Sequence, residues 1–152
     1  MENKKTTILL IATFIIIFDQ CTKWLVRQRI PLGKSIPIID KFISLTHITN
    51  IGAAFGILSN GRFFFIFLSS ISIVVIVVLV FKFSFNLALS VAFGFILGGI
   101  SGNLIDRLTL GSVTDFIDIK FFSVFNLADS AITIGTIMIL IYLLAIWKNS
   151  SK

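Results

Sequence analysis

Four stretches of the chain, at about residues 6–26, 63–81, 87–105 and 128–147, are apolar for close to 20 residues each. That is the length a helix needs to cross the hydrocarbon core of a bilayer. Four such stretches in 152 residues leave little polar chain, with 57% of residues hydrophobic and 13% charged. A soluble domain carries about a quarter charged residues. A cytosolic enzyme, a nucleic-acid-binding module and a disordered chain are therefore excluded. The net charge of +6 comes from basic residues scattered in ones and twos. Such a pattern suits anionic lipid headgroups better than nucleic acid. The lone Cys21 rules out an intrachain disulfide.

The expected architecture is a single integral membrane domain over residues 1–152, mainly α, with four transmembrane helices. No small-x-small cleavage site follows the first stretch, so it reads as a retained helix and not as a removed signal peptide. Four spans put both termini on one side. The density of basic residues, with Lys4 and Lys5 ahead of the first span, favours the cytoplasm. The connection between spans two and three is a short turn around Lys82 and Asn86. The other two connections, residues 27–62 and 106–127, are long and share the opposite face. Within them, residues 42–50 and 113–121 are rich in β-branched and aromatic side chains and roughly alternate. Pro31, Gly33 and Pro37 punctuate the first segment. A small β-sheet cradle resting on the membrane surface is expected there.

Ionisable groups at membrane depth cost about 2.5–3.5 kcal/mol each on insertion scales, so they usually have a task. Asp19 and Lys23 are four apart on span one, acid before base, the favourable order for an ion pair. Asp19 lies about 10 Å below the outer end of its helix at the α-helical rise. A self-neutralising structural pair and a direct role in chemistry are both open readings. Gly94, Gly98 and Gly102 form a small-residue stripe suited to close helix packing. Asn103 and Arg107 follow on one face where span three leaves the bilayer. Asp106 and Arg107 have an interfacial-anchor reading, while the amide of Asn103 wants partners.

In the second expected strand, period-two alternation separates Asp115, on the side of Val113, Ile117 and Ile119, from Asp118, which is expected to face water near Lys120. Asp129 sits three residues after Asn126 at the start of span four. There it can complete a helix cap, offer a fixed carboxylate at the membrane surface, or do both.

The single histidine, His47, lies within the first expected strand and reads as a packed strand residue. Neither a zinc-protease signature, a nucleophile elbow nor a phosphate loop is present. Two carboxylates remain as the available chemistry. Two Asp groups in contact share a proton, and such a pair activates water with no cofactor and no metal. Asp115 and Asp129, on either side of a short outside loop, are the natural candidates.

Four motifs then appear in order. They are Asp19-Gln20-Cys21-Thr22-Lys23, Asn50-Ile51-Gly52-Ala53-Ala54-Phe55-Gly56, Gly102-Asn103-Leu104-Ile105-Asp106-Arg107 with Val113-Thr114-Asp115-Phe116, and Phe125-Asn126-Leu127-Ala128-Asp129-Ser130. Together, in a four-span chain of this length, they resemble the bacterial lipoprotein signal peptidases (signal peptidase II). The resemblance implies that Asp115 and Asp129 form a catalytic aspartyl dyad. It implies supporting or substrate-binding roles for Asp19, Lys23, Asn50, Asn103, Arg107 and Asn126. Gly52 and Phe55 would belong to a movable flap that shields the site from water.

The implied activity is an intramembrane aspartyl endopeptidase that cleaves a prolipoprotein just before its diacylglyceryl-modified cysteine. The implied setting is the bacterial cell membrane, with both termini cytoplasmic and the active site near the outer face. Globomycin-type cyclic peptides would bind the dyad as substrate mimics, and the protein is expected to act as a monomer among membrane lipid. A small four-helix transporter or channel is the alternative from another class, and a structural membrane subunit a third. The transporter needs charges lining a path through the bilayer, and spans two and three carry none at their centres.

Overall fold

The computed structural model describes residues 2–40, 42–51 and 61–150. Four long helices dominate it: α1 (Glu2–Arg29), α2 (Gly61–Lys82), α3 (Leu87–Thr109) and α4 (Leu127–Ser150). All four are long and apolar enough to cross a membrane. Each overruns its expected span at one or both ends, mostly where polar residues continue the helix beyond the apolar stretch. Large apolar side chains such as Phe14, Phe63, Phe67, Leu140 and Leu144 stay exposed along the helices. That is the expected surface of a bundle whose solvent is lipid.

Helix α3 is the hub, packed against α1, α2 and α4. Its glycines explain how. A Cβ on Gly94 or Gly98 would lie within 3 Å of Ile11 or Ile15 of α1. On the other side, a Cβ on Gly99 would collide with the Ala128 carbonyl oxygen of α4. The stripe on one side and Gly99 on the other therefore let α3 touch two helices almost backbone to backbone. An apolar core of Ile8, Ala12, Ile76, Val80 and Leu97 ties α1, α2 and α3 together at one end of the bundle. Asn86, expected only as part of a turn, also caps α3, its side chain accepting from the Leu89 amide at 2.9 Å.

The two long connections supply a three-stranded antiparallel sheet in the order β1 (Ser35–Ile39), β2 (Ile43–Asn50), β3 (Val113–Ile119). Strands β2 and β3 fall where alternation placed them. Strand β1 was not expected, because Pro37 reads as a breaker. It is an edge strand with its register broken between Pro37 and Ile39, the setting in which a strand tolerates proline. His47 is buried in β2, with Nδ1 at 2.7 Å from the Ile30 carbonyl oxygen. Phe116 of β3 packs with Val26 and Ile30, which fixes the sheet on the end of α1.

Candidate functional site

A network of buried polar side chains lies where α1, α3, α4 and β3 converge. Its base is ionic. Lys23 Nζ lies 2.8 Å from Asp19 Oδ2 and 3.4 Å from Asp106 Oδ2, and none of the three side chains is exposed. Arg27 adds a longer pair to Asp106 at 3.9 Å. Two carboxylates thus face two cations, and the cluster is neutral. Asp19 Oδ1 also accepts from the Ala128 amide of α4 at 3.0 Å. Asp106 Oδ2 accepts from the Thr114 amide of β3 at 3.0 Å.

The interfacial-anchor reading of Asp106 is thereby corrected, since its carboxylate is a fully buried link between α1, α3 and β3. Asp19 and Lys23 are paired as expected. Their grip falls on the first turn of a helix and on Asn103. Gly102 leaves the room for this, since a Cβ there would approach Asp19 Oδ2 to 2.6 Å. Gln20 has no role in the sequence reading, yet its amide donates to Asp106 Oδ1 at 3.0 Å and to the Gly102 carbonyl oxygen at 3.1 Å. Its place in the Asp19–Lys23 motif is the only sequence signal for it.

The ionic base sets the orientation of the amides above it. An ammonium can only donate, so the Asn103 oxygen must turn toward Lys23, at 2.9 Å. The Asn103 amide nitrogen then faces Asp129 and donates to Oδ1 at 2.8 Å. Asn126 is fixed by a second obligate donor. Its Oδ1 accepts from the Asp129 backbone N–H at 2.9 Å, while its own backbone N–H donates to Asp129 Oδ2 at 3.2 Å. This reciprocal pair is a capping box at the start of α4. The Asn126 amide nitrogen is left to donate to Asp115 Oδ1 at 2.6 Å and to the Asn103 oxygen at 3.2 Å. Asn50, at the end of β2, donates to Asp115 Oδ2 at 2.8 Å. All four oxygens of Asp115 and Asp129 therefore receive an N–H.

Asp115 is 1% exposed. Burial pushes its carboxyl up to about 6, and the negative charge of Asp129 adds to the rise against the opposing donors Asn50 and Asn126. Asp115 and Asp129 line one cavity of about 510 Å³, shared with Asn50, Phe122, Phe125 and Thr133. The half-buried Arg107 has its guanidinium 5.1 Å from the Phe65 ring centre and within Coulomb reach of both carboxylates. Gly52 and Phe55 lie outside the described residues. Asp118 departs from expectation: it is half-buried and accepts from Thr46 Oγ1 at 2.7 Å. Consecutive residues of β3, from both of its faces, are buried, so period-two alternation does not divide protein from water there. Among the described residues, no group of three or more His, Cys, Asp or Glu is arranged to hold a metal.

The chain is similar to known proteins over most of its length. A family model described as signal peptidase (SPase) II matches residues 11–145. A lipoprotein signal peptidase of Caldanaerobacter subterraneus subsp. tengcongensis is 45% identical over 133 residues, covering 86% of this chain and 91% of its own. One from Staphylococcus aureus (strain JH9) is 41% identical over 151 residues, covering 96% and 93%. A solved structure described as a bacterial membrane enzyme superposes with a TM-score of 0.88 at 40% identity, covering 95% of this chain and 91% of that one.

Proposed function

The chain belongs to the signal peptidase II family, and from that premise we propose that it is an aspartyl endopeptidase whose reacting groups are Asp115 and Asp129. The family makes it a bacterial membrane protease of lipoprotein signal peptides. The finer reading concerns the dyad, the position of the cut and the side of the membrane.

The observation that carries it is the shared cavity. Two carboxylates from different elements line one space and are tied through one residue, Asn126, whose side-chain amide donates to Asp115 and whose backbone N–H donates to Asp129. Asp115, more deeply buried and with its carboxyl raised, holds the proton. Ionised Asp129 takes a proton from a water in the cavity as that water attacks the scissile carbonyl carbon. Asp115 gives its proton to the carbonyl oxygen, and a tetrahedral intermediate forms. On collapse the C–N bond breaks, the leaving nitrogen takes the proton held by Asp129, and Asp115 regains its own from the hydroxyl. No net proton is consumed, and the pair returns to its starting state. Preset donors hold both carboxylates in place, so little reorganisation is needed during reaction. The nearby Arg107 charge favours the singly protonated pair over the neutral one.

The substrate is a prolipoprotein cleaved before its diacylglyceryl-modified cysteine. Its acyl chains confine the scissile bond to the membrane surface, which suits a cavity placed between a sheet and the first turns of α4. Both termini are read as cytoplasmic and the cavity as opening at the outer face. Globomycin-type peptides would compete for the cavity.

The test is incubation of purified protein with a diacylglyceryl-modified prolipoprotein and with its unlipidated precursor. Cleavage of the first and not the second is expected. Asp115→Asn and Asp129→Asn are expected to lose activity by at least about 100-fold while inserting and folding normally. Substantial turnover by either variant removes that residue from the dyad.

A further inference from the structure

The Ile43–Ile119 end of the sheet carries largely exposed aromatic rings, of which, among the described residues, only Phe122 meets another ring, Phe125, edge-on at 5.9 Å between centres. Phe121 is 93% exposed and holds a φ of 69°, the left-handed region that a bulky side chain rarely enters. Its neighbour Phe122 is 68% exposed. The Lys120 amide donates to the Phe42 carbonyl oxygen at 3.0 Å. That bond joins the turn after β3 to Phe42, itself exposed just ahead of β2, as are Ile38 and Ile39 at the end of β1. The result is one apolar tip rimmed by Asp40 and Lys120, whose ammonium stands 4.9 Å from the Phe121 ring centre.

We propose that this tip, Phe42 with Phe121 and Phe122, is a membrane anchor that dips into the lipid interface beside the mouth of the Asp115–Asp129 cavity. Three observations choose lipid as the occupant. The tip precedes the first residue of a spanning helix, Leu127, by only a few positions. Phe122 forms a wall of the same cavity as Ile134, a lipid-facing residue of α4, so the patch continues the surface that the bilayer already covers. The strained backbone at Phe121 turns its ring outward, and an aromatic ring with a lysine beside it matches the acyl–headgroup boundary, where the ammonium meets lipid phosphate. The anchor holds the cavity mouth open sideways to lipid. A substrate carrying acyl chains can then reach the carboxylates without leaving the bilayer.

The test uses the full chain with Cys21→Ser, a nitroxide at Phe121→Cys or Phe122→Cys, and nanodiscs of phosphatidylcholine and phosphatidylglycerol. Both labels are expected to collide with oxygen several-fold more often than with a water-soluble nickel chelate, as a reference label at Ile137→Cys does. Chelate access typical of a water-exposed loop overturns the proposal. So does a short distance between labels on two copies, which would make a second copy the occupant. Phe121→Gly, which suits the positive φ, is expected not to lower the melting temperature in detergent. A clear loss there would mean that the ring packs within the fold, against the proposal. None of these readouts needs catalysis, so they stand or fall separately from the dyad.

Discussion

Lys23→Met isolates the ionic base of the site. The substitution keeps the length of the side chain and removes its charge, leaving Asp19 and Asp106 without the ammonium that sits 2.8 and 3.4 Å from them. All three side chains are fully buried, so water cannot take its place. Breaking a buried ion pair by deleting one partner costs about 3–5 kcal/mol, most of it the stranded charge. For a chain of this size about 1 kcal/mol moves the melting temperature by about 2–4 °C. The expected loss is therefore about 6–20 °C, read by thermal unfolding in detergent. The cost belongs to uncompensated carboxylates, so adding Asp19→Asn should recover part of it. The double variant is expected to be more stable than Lys23→Met alone by at least about 0.5 kcal/mol, the scale at which coupling exceeds additivity. Arg27 remains at 3.9 Å to serve Asp106 in that background. A drop below about 3 °C for Lys23→Met, or a double variant worse than the single, would refute the account of a neutral buried cluster.

Asp115 gives a pH signature. Its carboxyl is raised from 3.8 to about 6, so the folded state holds the proton more tightly than the unfolded one. The associated stability is full below pH 3.8 and is lost as pH rises through 6. Asp115→Asn should flatten that slope in melting temperatures measured across this window. Asn126→Ala removes a helix cap worth about 1 kcal/mol and also the amide that donates to Asp115 Oδ1 and ties it to the start of α4. It should therefore lower kcat far more than the modest loss in melting temperature suggests. Gly98→Ala would put a Cβ 2.7 Å from Ile15 Cβ and 2.9 Å from the Ala12 carbonyl oxygen. Overpacking of about 1–3 kcal/mol should appear as a lower melting temperature, with residual activity retained at low temperature.

Spans were legible because hydropathy over about 20 residues is a strong, local signal. Strands β2 and β3 were legible from alternation. Strand β1 was not, because Pro37 marks a break unless the strand is known to lie at an edge, and edges are decided by pairing. The pairing of Asp19 with Lys23 and the reciprocal cap of Asn126 and Asp129 depend on spacings of four and three, which a sequence displays. The burial of Asp106 depends on Lys23, more than eighty positions away, and the role of Gln20 on the Gly102 carbonyl oxygen. No local pattern encodes either contact. Asp118 was misplaced because alternation assigns faces but does not say what covers them.

The bond from the Ala128 amide to Asp19 joins residues 109 positions apart and brings the first helix to the last. Asp129 lies one residue beyond that amide. During synthesis, a chain with three helices in the bilayer has no final carboxylate to set beside Asp115. Under the proposed chemistry the protease is inert until its closing segment docks, and a half-made copy cannot cut the lipoproteins inserted around it.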